Sequence, residues 1–276
     1  MDKELVIVID FGGQYNQLIA RRIREAKVYS EMISYKTPIE EIKRMAPKGI
    51  IFSGGPASVN QEGAPTIDTR IYELGVPILG ICYGMQLMAA QLGGKVSGSQ
   101  IREYGRAEVN IDTDEGIWHG LKGNRICWMS HGDSVAELPE GFVTAAHTQN
   151  TPVAAMYSPE KRFYGVQYHP EVKHTPEGQV LLENFLYRVC GCQGHWTMES
   201  FIKSQISEIR DKVGDKKVIC ALSGGVDSSV AAVLVHKAVG DQLSCIYVDH
   251  GFMRKDESAQ VKKTFNERLP FNLKFI

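Results

Sequence analysis

The stretch VPILGICYGMQLMAAQLG, residues 76–93, decides the fold. Val76 to Leu79 is a short apolar run of the kind a buried parallel strand presents, a glycine-bearing turn follows, and MQLMAAQLG reads as a helix. In this strand–turn–helix order, Gly80-Ile81-Cys82-Tyr83-Gly84 matches the G-x-nucleophile-x-G pattern of an elbow, whose glycines permit a sharp turn and whose nucleophile stands clear of the sheet. The helix N-terminus beyond the turn favours negative charge, which suits a thiolate and makes Cys82 a candidate nucleophile.

Outward from this stretch the same rhythm recurs. Leu5 to Ile9 and Val28 to Ile33 read as strands on either side of a helix over Gln14 to Glu25, and Gly49 to Phe52 is another short strand ending in a glycine turn. From Lys95 to about Tyr168 the texture changes to short strands with turn signals, such as Val143 to Ala146, Val153 to Tyr157 and Phe163 to Tyr168, which predicts an antiparallel extension of the sheet. Gly178 to Val189 carries apolar residues on one helical face and closes a first α/β domain, set at residues 1–193. Cys190 to Trp196 reads as a linker. A second βα pattern follows: a helix over Met198 to Lys212, a strand over Lys217 to Leu222, a helix to about Val239, and a strand over Leu243 to Val248. Residues 194–276 therefore begin a second α/β domain, expected to be incomplete because such a domain needs roughly 100 residues or more.

Composition excludes several classes. The 276 residues are 43% hydrophobic and 23% charged, with a net charge of -1, so there is no electrostatic pull toward nucleic acid or a membrane surface. The first ten residues hold too short an apolar run for a signal peptide, and no stretch reaches a membrane span, so the expected location is the cytoplasm, with no nucleic-acid or membrane partner. The six cysteines lack both zinc spacing and disulfide density and are read as reduced thiols. His119, His147, His174, His195 and His236 have no ligand-spaced neighbours, and no bound metal is expected.

A thiolate that forms a covalent intermediate needs a base and a group to orient that base. Tyr168-His169-Pro170-Glu171 can supply both, since residues i and i+2 of an extended segment face the same side; His169 is the candidate base and Glu171 its orienter. Charge on an acyl oxygen must also be stabilised, and the backbone amides of Gly54, in Ser53-Gly54-Gly55-Pro56, and of Tyr83 are placed to do so.

SGGP at 53–56, GICYGMQ at 80–86, MSHGD at 129–133 and VQYHPE at 166–171, in that order, resemble the class I, triad-type glutamine amidotransferases. The resemblance implies a mixed, mostly parallel central sheet and a reaction in which cysteine attacks the side-chain amide of glutamine, ammonia leaves, and water hydrolyses a glutamyl thioester. It assigns Cys82, His169 and Glu171 to the triad and Gly54 and Tyr83 to the oxyanion site. Gln86 and the segment Ser130, His131, Gly132 and Asp133 match stretches that line the bound glutamine. No tightly bound cofactor is implied for this domain. The class II chemistry needs an N-terminal cysteine, and residue 2 is Asp.

Val218 to Leu222 runs into Ser223-Gly224-Gly225-Val226-Asp227-Ser228-Ser229 and an apolar helix. Glycines that admit phosphate oxygens to backbone amides, serine donors and a helix N-terminus make an anion site, and the absence of a Walker lysine argues against ordinary γ-phosphoryl transfer. The seven residues resemble the pyrophosphate loop of the N-type ATP pyrophosphatases, Rossmann-like enzymes that split ATP between the α and β phosphates with Mg2+ beside the pyrophosphate. In that family the next strand, here ending at Tyr247 to Gly251, lies along the nucleotide cleft.

A glutaminase followed by an adenylylating domain is similar in order to the glutamine-hydrolysing GMP synthetase family. That likeness implies glutamine, ATP and XMP as substrates, adenylylation of XMP, displacement of AMP by ammonia to give GMP, and a homodimer at full length. It also implies that a chain holding only the start of the second domain keeps at most the glutaminase half. Two other readings remain open at this point: another ATP-dependent amidation, such as one resembling NAD synthesis, and a silent glutamine-binding module.

Overall fold

The computed structural model describes residues 4–249, 251–268 and 272–276. The chain divides into two compact units, Met1–Trp196 and Thr197–Ile276. In the first, β1 (Leu5–Asp10), α1 (Asn16–Glu25), β2 (Tyr29–Ser34), α2 (Ile39–Met45), β3 (Gly49–Phe52), β4 (Ile78–Ile81) and α3 (Tyr83–Gln91) alternate as the apolar runs demand. Then come β5 (Lys95–Ile111), β6 (Gly123–Glu137), β7 (Val143–His147), β8 (Ala155–Ser158), β9 (Phe163–Val166) and α4 (Gly178–Glu183), whose last turns widen into a π-helix over Asn184–Val189.

The sheet order is β2-β1-β3-β4-β9-β8-β7-β5-β6. The five strands from β2 to β9 are parallel and the remainder antiparallel. This is the mixed, mostly parallel sheet expected from the sequence resemblance. Alternation along β1 shows why both faces must be covered. Val6 and Val8 join a core with Ile19 and Ile23 of α1, while Leu5, Ile7 and Ile9 join another with Ile39 and Ile42 of α2. The carboxyl ends of β1, β3, β4 and β9 therefore open together at one edge, where ligands of doubly wound sheets bind.

Three features depart from the sequence reading. The 95–168 region is not only short strands: β5 and β6 form a hairpin of 17 and 15 residues with a register break between Gly98 and Glu103. Helix α2 has too few apolar positions to stand out, with only Ile39 and Ile42 buried among charged neighbours. The stretch 190–196 is tied to the first unit rather than free. Cys192 N–H donates to Leu186 C=O, Gln193 and Gly194 N–H to the Glu4 carboxylate, and Trp196 N–H to Lys27 C=O.

The second unit opens with α5 (Met198–Val213), started by a Thr197–Ser200 capping box. Strands β10 (Val218–Leu222), β11 (Leu243–Tyr247) and β12 (Asn272–Phe275) pair in parallel, joined through α6 (Val226–Val239) and α7 (Glu257–Arg268). Leu222, Leu243, Tyr247 and Val261 form its small core.

Candidate active site

Cys82 stands at the carboxyl end of β4 with φ 51° and ψ −108°, a left-handed-side conformation that L side chains rarely adopt. The strain of the elbow therefore sits on the cysteine itself, while the flanking glycines serve close approach. A Cβ on Gly84 would lie 2.4 Å from Phe52 O, and one on Gly80 2.6 Å from Met85 N. The elbow is pinned where Cys82 N–H donates to Val166 C=O (2.8 Å), and α3 begins as Gln86 N–H donates back to Cys82 C=O. Seven of the nine α3 residues are buried, Gln86 being the polar one among them.

His169 follows β9 and is equally fixed. Its N–H donates to Trp128 C=O (3.0 Å), and its own C=O accepts from the Thr175 hydroxyl, which in turn accepts from Trp128 N–H. The ring is buried, with Nδ1 2.8 Å from Glu171 Oε1 and the edge of Tyr15 packed at 5.4 Å between centroids. Burial alone would push the imidazole down, but hydrogen bonds to Cys82 and Glu171 and the charges behind them outweigh it and hold His169 up at about 10. Glu171 is fully buried; its second carboxylate oxygen has no partner among the described residues, and its backbone C=O accepts from Arg22 Nε (3.0 Å). Cys82, His169 and Glu171 thus meet as a buried array.

Gly54 lies against the same pair: a Cβ there would stand 3.2 Å from His169 Cε1 and 3.8 Å from Cys82 Cβ. Ser53, fully buried, locks this turn by accepting from Phe11 N–H and donating to Gly54 C=O. Tyr83 is the first residue of α3, so its N–H has no intrahelical acceptor. Two cavities meet at the sulfur. One, of about 400 Å³, is lined by Cys82, Tyr83, Gln86 and Ser130 to Asp133; the other, of about 230 Å³, by residues 12–16, Gly54, Cys82 and His169.

Within the segment 130–133, Ser130 C=O faces Cys82 Sγ at 3.6 Å. The His131 ring is buried, with Nδ1 3.0 Å from Asp133 O; Nε2 lies 3.4 Å from Glu103 Oε2 but has no hydrogen-bond partner among the described residues, and burial pushes the ring's pKa down against the pull of Glu103. Glu103 is held by the hydroxyls of Thr148 (2.8 Å) and Thr151 (2.7 Å). Gln86 Nε2 donates to Asp133 O (2.8 Å) and to Gln167 Oε1 (3.1 Å), and Gln167 Nε2 lies 3.5 Å from Cys82 Sγ. Sequence reasoning misses Gln167, although the two-residue alternation that pairs His169 with Glu171 also puts Gln167 on that side. Glu103, Thr175 and Tyr15 come from distant segments and leave no local signal. His119 and His147 pair with Asp114 (3.2 Å) and Asp112 (2.8 Å), carboxylates that spacing does not bring forward.

In the second unit, residues 223–229 form an exposed turn into α6. Gly224 has φ 79°, and a Cβ there would meet Val261 Cγ2 at 2.9 Å. The Ser223 and Ser228 hydroxyls contact each other (3.0 Å), the Ser229 hydroxyl donates to Gly225 O (2.6 Å), and Asp227 lies in the first helical turn. The Val226 side chain is exposed. These donors at a helix N-terminus suit a phosphate. His250, in the strand-end stretch 247–251, lies outside the described residues.

Comparison with known proteins follows the same division. Residues 7–189 match the family model for class-I glutamine amidotransferases, and residues 197–276 match the NAD synthase model. The chain is 61% identical over 98% of its length to the glutamine-hydrolysing GMP synthase of Heliobacterium modesticaldum, and 60% identical over 98% to that of Carboxydothermus hydrogenoformans. In each case it spans 53% of the relative, about half its length. The crystal structure of a candidate GMP synthase component from Thermoplasma acidophilum superposes with TM-score 0.62 at 27% identity, covering 74% of this chain and 98% of that one. A Thermotoga maritima glutamine amidotransferase shares the fold, with TM-score 0.57 at 17% identity over 70% of this chain and all of that one.

Proposed function

The chain belongs to the class I glutamine amidotransferase family, and from that premise we propose that its first unit hydrolyses glutamine at Cys82 and that the ammonia serves an ATP-dependent amidation of XMP to GMP. The observation that carries the glutaminase reading is the strained, buried Cys82 beside a buried His169 whose pKa is raised by Cys82 and by Glu171, which its Nδ1 meets at 2.8 Å. Cys82 Sγ attacks the γ-carboxamide carbon as the thiol proton passes to His169. The oxygen that becomes negative accepts from the N–H groups of Gly54 and Tyr83. His169 donates its proton to the departing nitrogen, which leaves as ammonia, and the acyl group stays on sulfur. Water then adds to the thioester with His169 taking its proton, and glutamate is released. Gln86 and the Ser130, His131, Gly132 and Asp133 segment shape the wall against which glutamine lies.

The acceptor half rests on the relatives. Ser223, Gly224, Gly225, Val226, Asp227, Ser228 and Ser229 would hold the pyrophosphate portion of ATP through N–H and hydroxyl donors. Mg2+ supplies charge neutralisation when bound. Between XMP and the acceptor suggested by the NAD synthase match, the GMP synthases at around 60% identity favour XMP. The described residues hold no helix long and apolar enough to cross a membrane; we place the protein in the cytoplasm, with the full-length form a homodimer. The test is glutamate release by this chain beside Cys82→Ala, with hydroxylamine added to trap the thioester as a hydroxamate. Release abolished in the variant supports the assignment. For the acceptor, GMP formed by the full-length protein from XMP, ATP and glutamine is expected, and amidation of nicotinate adenine dinucleotide in its place overturns it.

A further inference from the structure

The amide of Gln167 is the neutral donor that reaches the sulfur of Cys82, and its orientation is settled by a backbone carbonyl two contacts away. Asp133 O can only accept, so the Gln86 atom 2.8 Å from it is the NH2 group. The same nitrogen lies 3.1 Å from the Gln167 amide, so the Gln167 atom facing it is the oxygen. The Gln167 NH2 group is thereby left facing Sγ at 3.5 Å. Flipping Gln167 alone would set two NH2 groups against each other, and flipping both would set the Gln86 oxygen against Asp133 O. Only this arrangement gives each of the three contacts a donor and an acceptor, and both side chains are buried, Gln167 completely.

This polarity matters because the sulfur has an opposing neighbour. Ser130 O, at 3.6 Å, can accept from a thiol but repels a thiolate, so it favours the protonated sulfur. A donor on the other side favours the ionised form. We propose that Gln167 is a further catalytic residue, an N–H donor that holds the Cys82 thiolate against the pull of Ser130 O, and that Gln86 is the positioning residue that aims it. This rests on the reading of Cys82 as nucleophile. Gln86 thus has a second duty besides lining the glutamine cavity: it couples the 130–133 segment, through Gln167, to the sulfur.

The test is the pH profile of Cys82 alkylation by iodoacetamide, which needs no bound glutamine, read by mass mapping in the parent, Gln167→Leu and Gln86→Leu. Loss of one hydrogen bond to a charged group corresponds to about a tenfold change in ionisation, so the Gln167→Leu midpoint is expected to move up by about one pH unit. Gln86→Leu, which never touches the sulfur, is expected to move it the same way by less, because Gln167 becomes free to turn over. If Gln167→Leu fails to fold, Gln86→Leu carries the decision. A folded variant with the parent profile overturns the relay. A parent in which Cys82 is alkylated no faster than the other cysteines overturns the nucleophile reading and the relay with it, which keeps the two failures apart.

Discussion

Adding one methyl group at Gly84 tests whether close packing or backbone freedom is what the elbow asks of its glycines. Gly84 has no left-handed φ, so alanine brings no backbone strain there. Its Cβ would instead stand 2.4 Å from Phe52 O and 2.5 Å from Phe52 Cβ, about an ångström inside ordinary van der Waals contact. Phe52 ends β3, a strand hydrogen-bonded on both sides, so it cannot yield and α3 must retreat. Overpacking of this kind costs about 1–3 kcal/mol, and contact with backbone puts it near the upper end. For a unit of this size that is roughly a 6–12 °C fall in the unfolding midpoint. A retreat of about 1 Å at the first turn of α3 also moves Cys82, and displacements of that size cost roughly a hundredfold in rate. The assay is thermal unfolding together with the rate of Cys82 labelling by a chloroketone analogue of glutamine. Gly98→Ala is the control, since its Cβ meets only Asp133 Oδ1 at 3.8 Å. A Gly84→Ala protein with the parent's midpoint and labelling rate would refute the packing argument.

Other perturbations read other parts of the account. Cys82→Ala removes one of the hydrogen bonds that hold His169 up at about 10, so NMR titration of the imidazole should find it deprotonating at lower pH in the variant than in the parent. Because the His169 value is raised on folding, its contribution to stability is present below its ordinary value of about 6.5 and lost as pH rises through about 10. The unfolding midpoint should therefore fall more steeply from pH 7 to 10 in the parent than in His169→Gln. Glu103→Ala takes the acceptor from the hydroxyl protons of Thr148 and Thr151, at a cost of about 1–3 kcal/mol for each buried donor left unpaired, and loosens His131; it should raise KM for glutamine more than it lowers kcat. Gly224→Ala forces a left-handed residue against Val261 and should lower the unfolding free energy of the second unit by about 1–2 kcal/mol and weaken pyrophosphate binding measured by calorimetry, leaving glutamate release untouched.

The parallel half of the fold is legible because β1, β3 and β4 are short apolar runs that stop close to glycines, as at Phe52 and Ile81, a trace that buried parallel strands leave. The second α/β unit shows for the same reason. The long β5–β6 hairpin hides because its register break at Gly98/Glu103 interrupts the alternation by which strands are recognised. At the site, Cys82 and His169 each sit in a short motif whose local geometry follows from neighbouring residues. Glu171 follows from His169 by alternation; Gln167 carries the same signal but is missed by the sequence reading. What lies beyond sequence is the pairing across distance: Glu103 reaches His131 from another strand, and Thr175 ties His169 to Trp128 only once the sheet is closed. The elbow glycines stand where the motif puts them but for another physical reason, since the left-handed residue is the cysteine.

The central claim is that one thiol of six is a nucleophile shaped to receive glutamine. Mass mapping after brief exposure to the chloroketone analogue of glutamine tests it directly. The account predicts a single adduct on Cys82, suppressed by excess glutamine and missing from Cys82→Ala although the other thiols remain. Adducts spread over Cys127, Cys190 or Cys220, or a Cys82 adduct that glutamine does not suppress, would contradict it.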